Sequence, residues 1–476
     1  MRTNRNETNE VARKEGENKG KPSLKAHYFA YIGIAGPLAW GFLVNAAGSS
    51  HTDMQVSWQV AYLTLSAAML FGGLFASKKL PFLTSKAMQV CVGVIGAIGT
   101  LLLTASFEVP GLETLQMPAS ILCTCVLGWM YLQWGLFYEK VELKLAIICL
   151  FAANIAGCLA KTLAHFCPLP LEVAIAMLLP ALSIASCRIA TNHIPASSKP
   201  TVRFESHNLY SLWKVCVAIA AFSFVTAFLV GRFSGNQSSV AAVEFLAARG
   251  FEIIVSAVVL LIVAKLKHAF NFAQLWRIVL VVLAIDILCL TALPEFNLLR
   301  CVESSAWDLV VLFAWLTLAD IARHATVPSP LVFGGGWACY AAPFAIGSAF
   351  AMAAPIGVID ATTTVALMFI LLLTATFCLE LRDQNTKWIF AELSGEPSTA
   401  PADYTSIDDR CEAIAKAKHL TPRELEIMQL LCKGRTKAYI AETLYLTENT
   451  VKGHTKHIYT KLDVHSKQEL MDLIER

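Results

Sequence analysis

The chain has 476 residues, of which 56% are hydrophobic and only 15% are charged. Soluble domains average about 45–50% apolar and about 25% charged, so the string of soluble domains that length alone would suggest is excluded. The net charge of +3 is a composite, because residues 1–25 and 410–476 are each basic while the stretch between them is slightly acidic.

Residues 1–26 are polar and contain no apolar core of the kind a cleaved signal needs. They read as a disordered, basic cytoplasmic tail. Between 27 and 382 the chain shows twelve apolar stretches, at 27–48, 57–76, 88–107, 117–138, 143–164, 171–190, 212–232, 240–264, 275–293, 304–322, 331–353 and 358–380. Each is close to the length of about 20 residues that a helix needs to cross a hydrocarbon core of about 30 Å. A membrane β-barrel would instead show segments of about ten alternating residues. The expected class is therefore all-α, a polytopic twelve-helix transmembrane bundle.

Orientation follows from the cations, which are retained on the cytoplasmic side. With the N-terminus inside, Lys78, Lys79, Lys86, Lys140, Lys144, Arg188, Lys199, Arg203, Lys265 and Lys267 all fall at inner loops or inner helix ends. Both termini are thus expected in the cytoplasm, and the chain in the inner (cytoplasmic) membrane. A longer polar loop from Thr191 to Ser211 divides the spans into six and six. This layout resembles the major facilitator type of transporter in hydropathy only. The loop Ser77-Lys78-Lys79-Leu80-Pro81-Phe82-Leu83 lacks the Gly and Asp/Arg pattern that those transporters carry.

Charges within lipid cost about 2.5–3.5 kcal/mol at a helix centre and normally face a bundle interior. Glu244, Arg249 and Glu252 lie in the eighth stretch and Asp286 in the ninth. Arg249 and Glu252, three apart, share a helix face, and Arg249 and Asp286 lie at similar depth. Arg249 is expected to pair with Asp286 or Glu252. The resulting cluster either lines a pocket for a small-molecule ligand or locks two helices together. Lys161, His165 and Asp320 lie nearer helix ends, where side chains reach for the interface. Gly334-Gly335-Gly336 is not followed by Lys-Ser/Thr, so it suits close helix packing and not phosphate binding. The 14 cysteines show no framework spacing. The Cys123/Cys125 pair lacks further ligands at metal spacing, so neither metal nor cofactor is expected.

Residues 383–418 include Ser394-Gly395-Glu396-Pro397-Ser398-Thr399-Ala400-Pro401, a Gly/Pro/Ser linker with an end-to-end distance of roughly 30–35 Å as a coil. From 419 to 476 the pattern becomes amphipathic. Thr421-Pro422-Arg423-Glu424 opens a helix with Thr at the cap, Pro first, and Glu placed to reach back to the cap's amide. Leu425, Met428, Leu431 and Cys432 form its stripe, and Gly434 ends it. A second helix covers Lys437 to Leu444, with Ile440, Ala441 and Leu444 inward. Thr447 caps a third, with Val451, Ile458 and Leu462 inward. Ser466 caps a fourth, carrying Leu470, Leu473 and Ile474. The second and third helices, joined by Tyr445-Leu446-Thr447, make a helix-turn-helix, whose second member presents its N-terminal part to the major groove. Its outer face carries Thr450, Lys452, Gly453, His454, Lys456, His457, Tyr459 and Lys461. Three lysines among hydrogen-bonding side chains suit phosphate neutralisation and base-edge contact.

Leu420-Thr421-Pro422-Arg423-Glu424-Leu425-Glu426, Ile440-Ala441-Glu442-Thr443-Leu444, Thr450-Val451-Lys452-Gly453-His454 and Lys461-Leu462 together resemble the DNA-binding domain of LuxR-type transcription regulators. That resemblance implies base and phosphate contact from Lys452 and Lys456, backbone contact from Thr450 and Lys461, and dimerisation mainly through the fourth helix. Gly453 departs from the bulkier residue usual at that position, and Lys467 stands where Arg is common. His454 is either a packing residue or a phosphate contact.

No Walker motif, nucleophile elbow, zinc-protease signature or receiver-like acidic cluster occurs, so no enzymatic activity is expected. The reading is a one-component membrane regulator. Its expected partners are double-stranded promoter DNA, the lipid bilayer, an unidentified small molecule and RNA polymerase, with homodimerisation on DNA. The alternative is a secondary transporter carrying an appended DNA-binding regulatory domain.

Overall fold

The computed structural model describes residues 26–46, 54–194, 213–233, 242–265, 297–353, 369 and, apart from 413, 417, 419 and 433, 411–475. The chain divides into two compact units, Met1–Gly395 and Glu396–Arg476. The described residues are helical with no strand in either unit.

Among the described residues of the first unit a 3-10 segment, Ala26–Ile32, leads into ten helices: α1 Ala35–Ala46, α2 Met54–Leu83, α3 Lys86–Glu108, α4 Gln116–Tyr138, α5 Leu143–His165, α6 Leu169–Asn192, α7 Trp213–Phe233, α8 Ala242–Lys265, α9 Asn297–His324 and α10 Ser329–Ala353. Long apolar helices are what a lipid environment demands, because only there are all backbone groups satisfied within the segment. Seven of them are long and apolar enough to cross a membrane, namely α2 to α6, α8 and α10. Apolar parts of Ala26–Ala46 and of α7 are shorter. Expected span 275–293 and, apart from residue 369, expected span 358–380 lie outside the described residues, as do residues 1–25 of the expected N-terminal tail and most of the linker. The count of twelve and the division into six and six rest on sequence alone.

Large apolar side chains such as Phe71, Val90, Leu163 and Leu178 face outward, where a bilayer would cover them. Inside, Tyr131, Trp315 and Trp337 meet with ring centroids 4.8–5.3 Å apart, favoured edge-on and tilted arrangements. Helix α10 packs extensively against α2 and α7. At the α2–α10 crossing, a Cβ added to Gly334 would lie 2.6 Å from the Met69 carbonyl oxygen, and one on Gly73 would lie 2.5 Å from that of Pro330. Gly336 is closed off by Leu318, whereas Gly335 faces open space. Two of the three consecutive glycines therefore serve close packing. Helix α2 kinks at Lys79 (φ −130°, ψ 39°), two residues before Pro81, where the missing amide breaks the ladder.

The second unit holds α11 Pro422–Cys432, α12 Lys437–Thr443, α13 Glu448–Leu462 and α14 Lys467–Glu475. They enclose Ile427, Met428, Leu431, Ile440, Val451, Ile458, Leu462 and Leu470, joined by Cys411 and Ala415 from the segment before α11. Leu425, Leu444 and Leu473 lie half-buried at the margin of this core. The caps expected at Thr421, Thr447 and Ser466 form: Thr421 and Glu424 exchange hydrogen bonds at 2.7 and 3.3 Å, Thr447 accepts from the Thr450 amide, and Ser466 from that of Glu469; Thr436, not singled out in the sequence, caps α12 by accepting from the Tyr439 amide. Gly434 takes a positive φ of 80° after α11, as a helix-ending glycine does.

Candidate nucleic-acid interface and buried charge cluster

Helices α12 and α13 are joined by a turn in which the Leu446 amide reaches back to the Ala441 carbonyl at 2.8 Å, with Tyr445 left-handed at φ 54°. Arg423 on α11 donates to the Leu444 carbonyl and to Glu426, so the turn is tied to the first helix. The core side of α13 is Val451, Thr455, Ile458 and Leu462. Thr455 is buried because its hydroxyl donates to the Val451 carbonyl at 2.7 Å, which removes its need for water. Sequence reasoning did not single it out.

The opposite face is outward. Thr450, Lys452, Gly453, Lys456, His457 and Lys461 are exposed, and His454 and Tyr459 half-buried. Lys452 and Lys456, four apart, are neighbours on this face. Thr450's hydroxyl lies 2.8 Å from that of Thr447, so it belongs to the cap at the positive end of the α13 dipole. A Cβ on Gly453 would meet nothing within 4 Å, leaving a notch between the lysines where another molecule can approach the backbone. Lys461 is engaged internally. Its ammonium donates to Glu424 Oε2 at 2.7 Å, an ion pair between the ends of α13 and α11 that no local pattern signals.

In the first unit the structure brings together Arg249 and Glu252, one of the two pairings expected, with Nη2 to Oε1 at 2.6 Å. Asp286 lies outside the described residues, and nothing is described of the Glu244 side chain. The second acid against Arg249 is Asp308 of α9, at 3.5 Å. Lys161 joins it at 3.2 Å, corrected from the expectation that Lys161 reaches for the interface: its side chain is only 5% exposed, because Asp308 supplies its counter-charge within the bundle. Asp320 is likewise buried, 4.0 Å from His324, and not at an interface. His165 is exposed and stacks on Phe245 at 4.2 Å. Cys158 donates to Glu252 at 2.8 Å, and Asn154 to Ser256 at 3.1 Å. Phe42 lies 5.0 Å from the Lys161 ammonium and 5.2 Å from the Arg249 guanidinium, within cation–π range.

The second unit thus has a tri-helical core closed by a fourth helix, with a capped, lysine-bearing helix presented outward. Residues 418–474 match the family model described as "Bacterial regulatory proteins, luxR family", so this unit contains a LuxR-type helix-turn-helix domain. Over 55 residues the chain is 49% identical to the oxygen regulatory protein NreC of Staphylococcus haemolyticus (strain JCSC1435), a match covering 12% of this chain and 25% of that protein. It is 47% identical over 55 residues to NreC of Staphylococcus epidermidis, with the same coverage. The chain thus spans about a quarter of the length of the curated relatives it matches. Among solved structures, the major facilitator superfamily transporter FucP in its outward conformation aligns with a TM-score of 0.47 at 13% identity, over 74% of this chain and 99% of that one. The human organic anion transporter MFSD10 aligns with a TM-score of 0.43 at 15% identity, over 75% and 100%.

Proposed function

We propose that this chain is a membrane-embedded, one-component transcription regulator acting by binding and not by catalysis. The observation that carries the reading is the presence, in one polypeptide, of a LuxR-type unit and a bundle with seven helices of membrane-crossing length. Signal reception and DNA contact then need no second protein. The bundle spans the bacterial cytoplasmic membrane with both termini inside, as the cation distribution favours, and senses a small molecule or the state of the membrane. The helix-turn-helix, on its linker, engages promoter DNA as a homodimer joined mainly through α14, with RNA polymerase as the downstream partner. Thr450, Lys452, Gly453, His454, Lys456 and His457 face the duplex, the lysines neutralising phosphates and α13 lying in the major groove. Lys461 supports that face through Glu424. The relatives' likeness is confined to the DNA-binding unit, so it supports DNA recognition and does not extend to what NreC responds to.

The test is recovery of DNA cross-linked in cells to the full-length chain and to its Lys456→Ala variant. Enrichment at discrete promoters, lost in the variant at equal membrane abundance, is the expected result. Uniform recovery across the chromosome from both forms would refute the reading.

A further inference from the structure

The charge cluster between α5, α8 and α9 has an asymmetry that points to the chemistry of a ligand. The Glu252 side chain is wholly buried, both terminal nitrogens of Arg249 meet it at 2.6 and 3.1 Å, and Cys158 donates to it. Asp308 is different. A single oxygen, Oδ2, is approached by Lys161 from α5 at 3.2 Å and by Arg249 from α8 at 3.5 Å. Its side chain is 18% exposed, whereas those of Lys161 and Arg249 are 5% exposed. Among the four charged side chains described in this cluster, Asp308 is the one most open to the surroundings. Flat aromatic surfaces flank them: Phe42 beside both cations, Phe245 5.7 Å from the guanidinium, and His165 stacked on Phe245.

We propose that the Asp308 carboxylate occupies, from within the chain, a receptor for the carboxylate of a planar or aromatic acid, and that such an acid acts by displacing Asp308 from Lys161 and Arg249. The proposal deepens the sensing role and rests on it. Exchange of one carboxylate for another leaves no cation stranded in a low-dielectric interior, which is the costly alternative. A neutral ligand leaves the Lys161 ammonium without its carboxylate when Asp308 departs, and a cationic one meets two like charges. Displacement would remove the ionic tie between α9 and the α5–α8 pair, biasing the bundle between two arrangements to the extent that the acid prefers one.

The test uses the full chain in detergent micelles, with benzoate as the probe and benzamide as its uncharged counterpart, and reads binding by calorimetry and thermal unfolding. Asp308→Gly should unfold at lower temperature than the native chain and be restored by benzoate, binding it at least about tenfold more tightly because the internal competitor is gone. Benzamide should do neither, and a further Arg249→Met change should abolish the response. Asp308→Asn, which keeps the volume, should show the same order of affinities and stands in if the glycine variant does not insert. Equal benzoate affinity for native and variant chains, or equal effects of benzoate and benzamide, would overturn the proposal. No DNA is present in this measurement, so that outcome would leave the regulator reading to its own promoter-recovery test.

Discussion

Lys461 and Glu424 form a 2.7 Å ion pair that joins the last turn of α13 to the first turn of α11. Glu424 also accepts from the Thr421 amide and hydroxyl through the same oxygen. Burial by itself would push its carboxyl up, but the Lys461 hydrogen bond, the Thr421 amide and hydroxyl, and the lysine's charge together hold it down at about 2. The pair fixes the far end of α13 to the helix on which it packs, so Lys461 supports the outward face of α13 from behind.

The first expectation concerns this carboxylate. Glu424→Gln should destabilise the C-terminal unit by about 1–3 kcal/mol at neutral pH, the range for losing a charge-assisted bond to a buried group. A native value of about 2 lies below the value of about 4.3 for an unfolded Glu. The stabilisation is therefore complete above the unfolded value and disappears as pH falls from about 5 towards 2. Urea denaturation of residues 396–476 followed by circular dichroism at pH 7, 5, 4 and 3 should show the gap between native and variant narrowing. A gap independent of pH would contradict the assignment.

Lys452 and Lys456 should behave differently from Lys461. Each alanine substitution at the first two should lower the salt slope of DNA binding by about 0.9, one phosphate's worth, without changing stability. Lys461→Met should instead reduce stability together with binding. Fluorescence anisotropy between 50 and 200 mM salt, paired with thermal unfolding, separates the two classes.

Gly453 should be replaceable at a gain in stability. A Cβ there meets open space, so Gly453→Ala should stabilise the unit by about 0.5–1 kcal/mol through helix propensity alone. Binding to a native promoter should weaken, because the notch between the lysines is filled. Unchanged binding would mean that the backbone at Gly453 is not approached by DNA.

In the bundle, Gly73→Val or Gly334→Val should sharply reduce the yield of monodisperse protein, because the added atoms collide with backbone carbonyls at the α2–α10 crossing. Gly335→Ala, in open space, should leave the yield unchanged. Size-exclusion profiles of the three variants decide the matter.

Much of the C-terminal unit was legible beforehand because its signals are local. Thr421, Pro422 and Glu424 specify a helix start within four residues, and the inward positions Met428, Ile440, Val451, Ile458 and Leu462 follow from a period of 3.6 residues. Apolar length likewise announced the helices of the bundle, and Arg249 and Glu252, one turn apart, were readable as a pair from helix geometry. The long-range partners were not. Asp308 lies 147 positions from Lys161, and Glu424 lies 37 from Lys461. Periodicity says which face of a helix is turned inward but not which helix it will meet.

Hydropathy by itself determined that long apolar helices make up most of this chain, and cap residues and helical periodicity that its last 58 residues carry a helix-turn-helix. Only the tertiary structure decided which charges neutralise one another, because an ion pair in a low-dielectric interior depends on distances of a few ångströms between segments remote in sequence. It placed Asp308 between two cations and turned Lys461 towards Glu424.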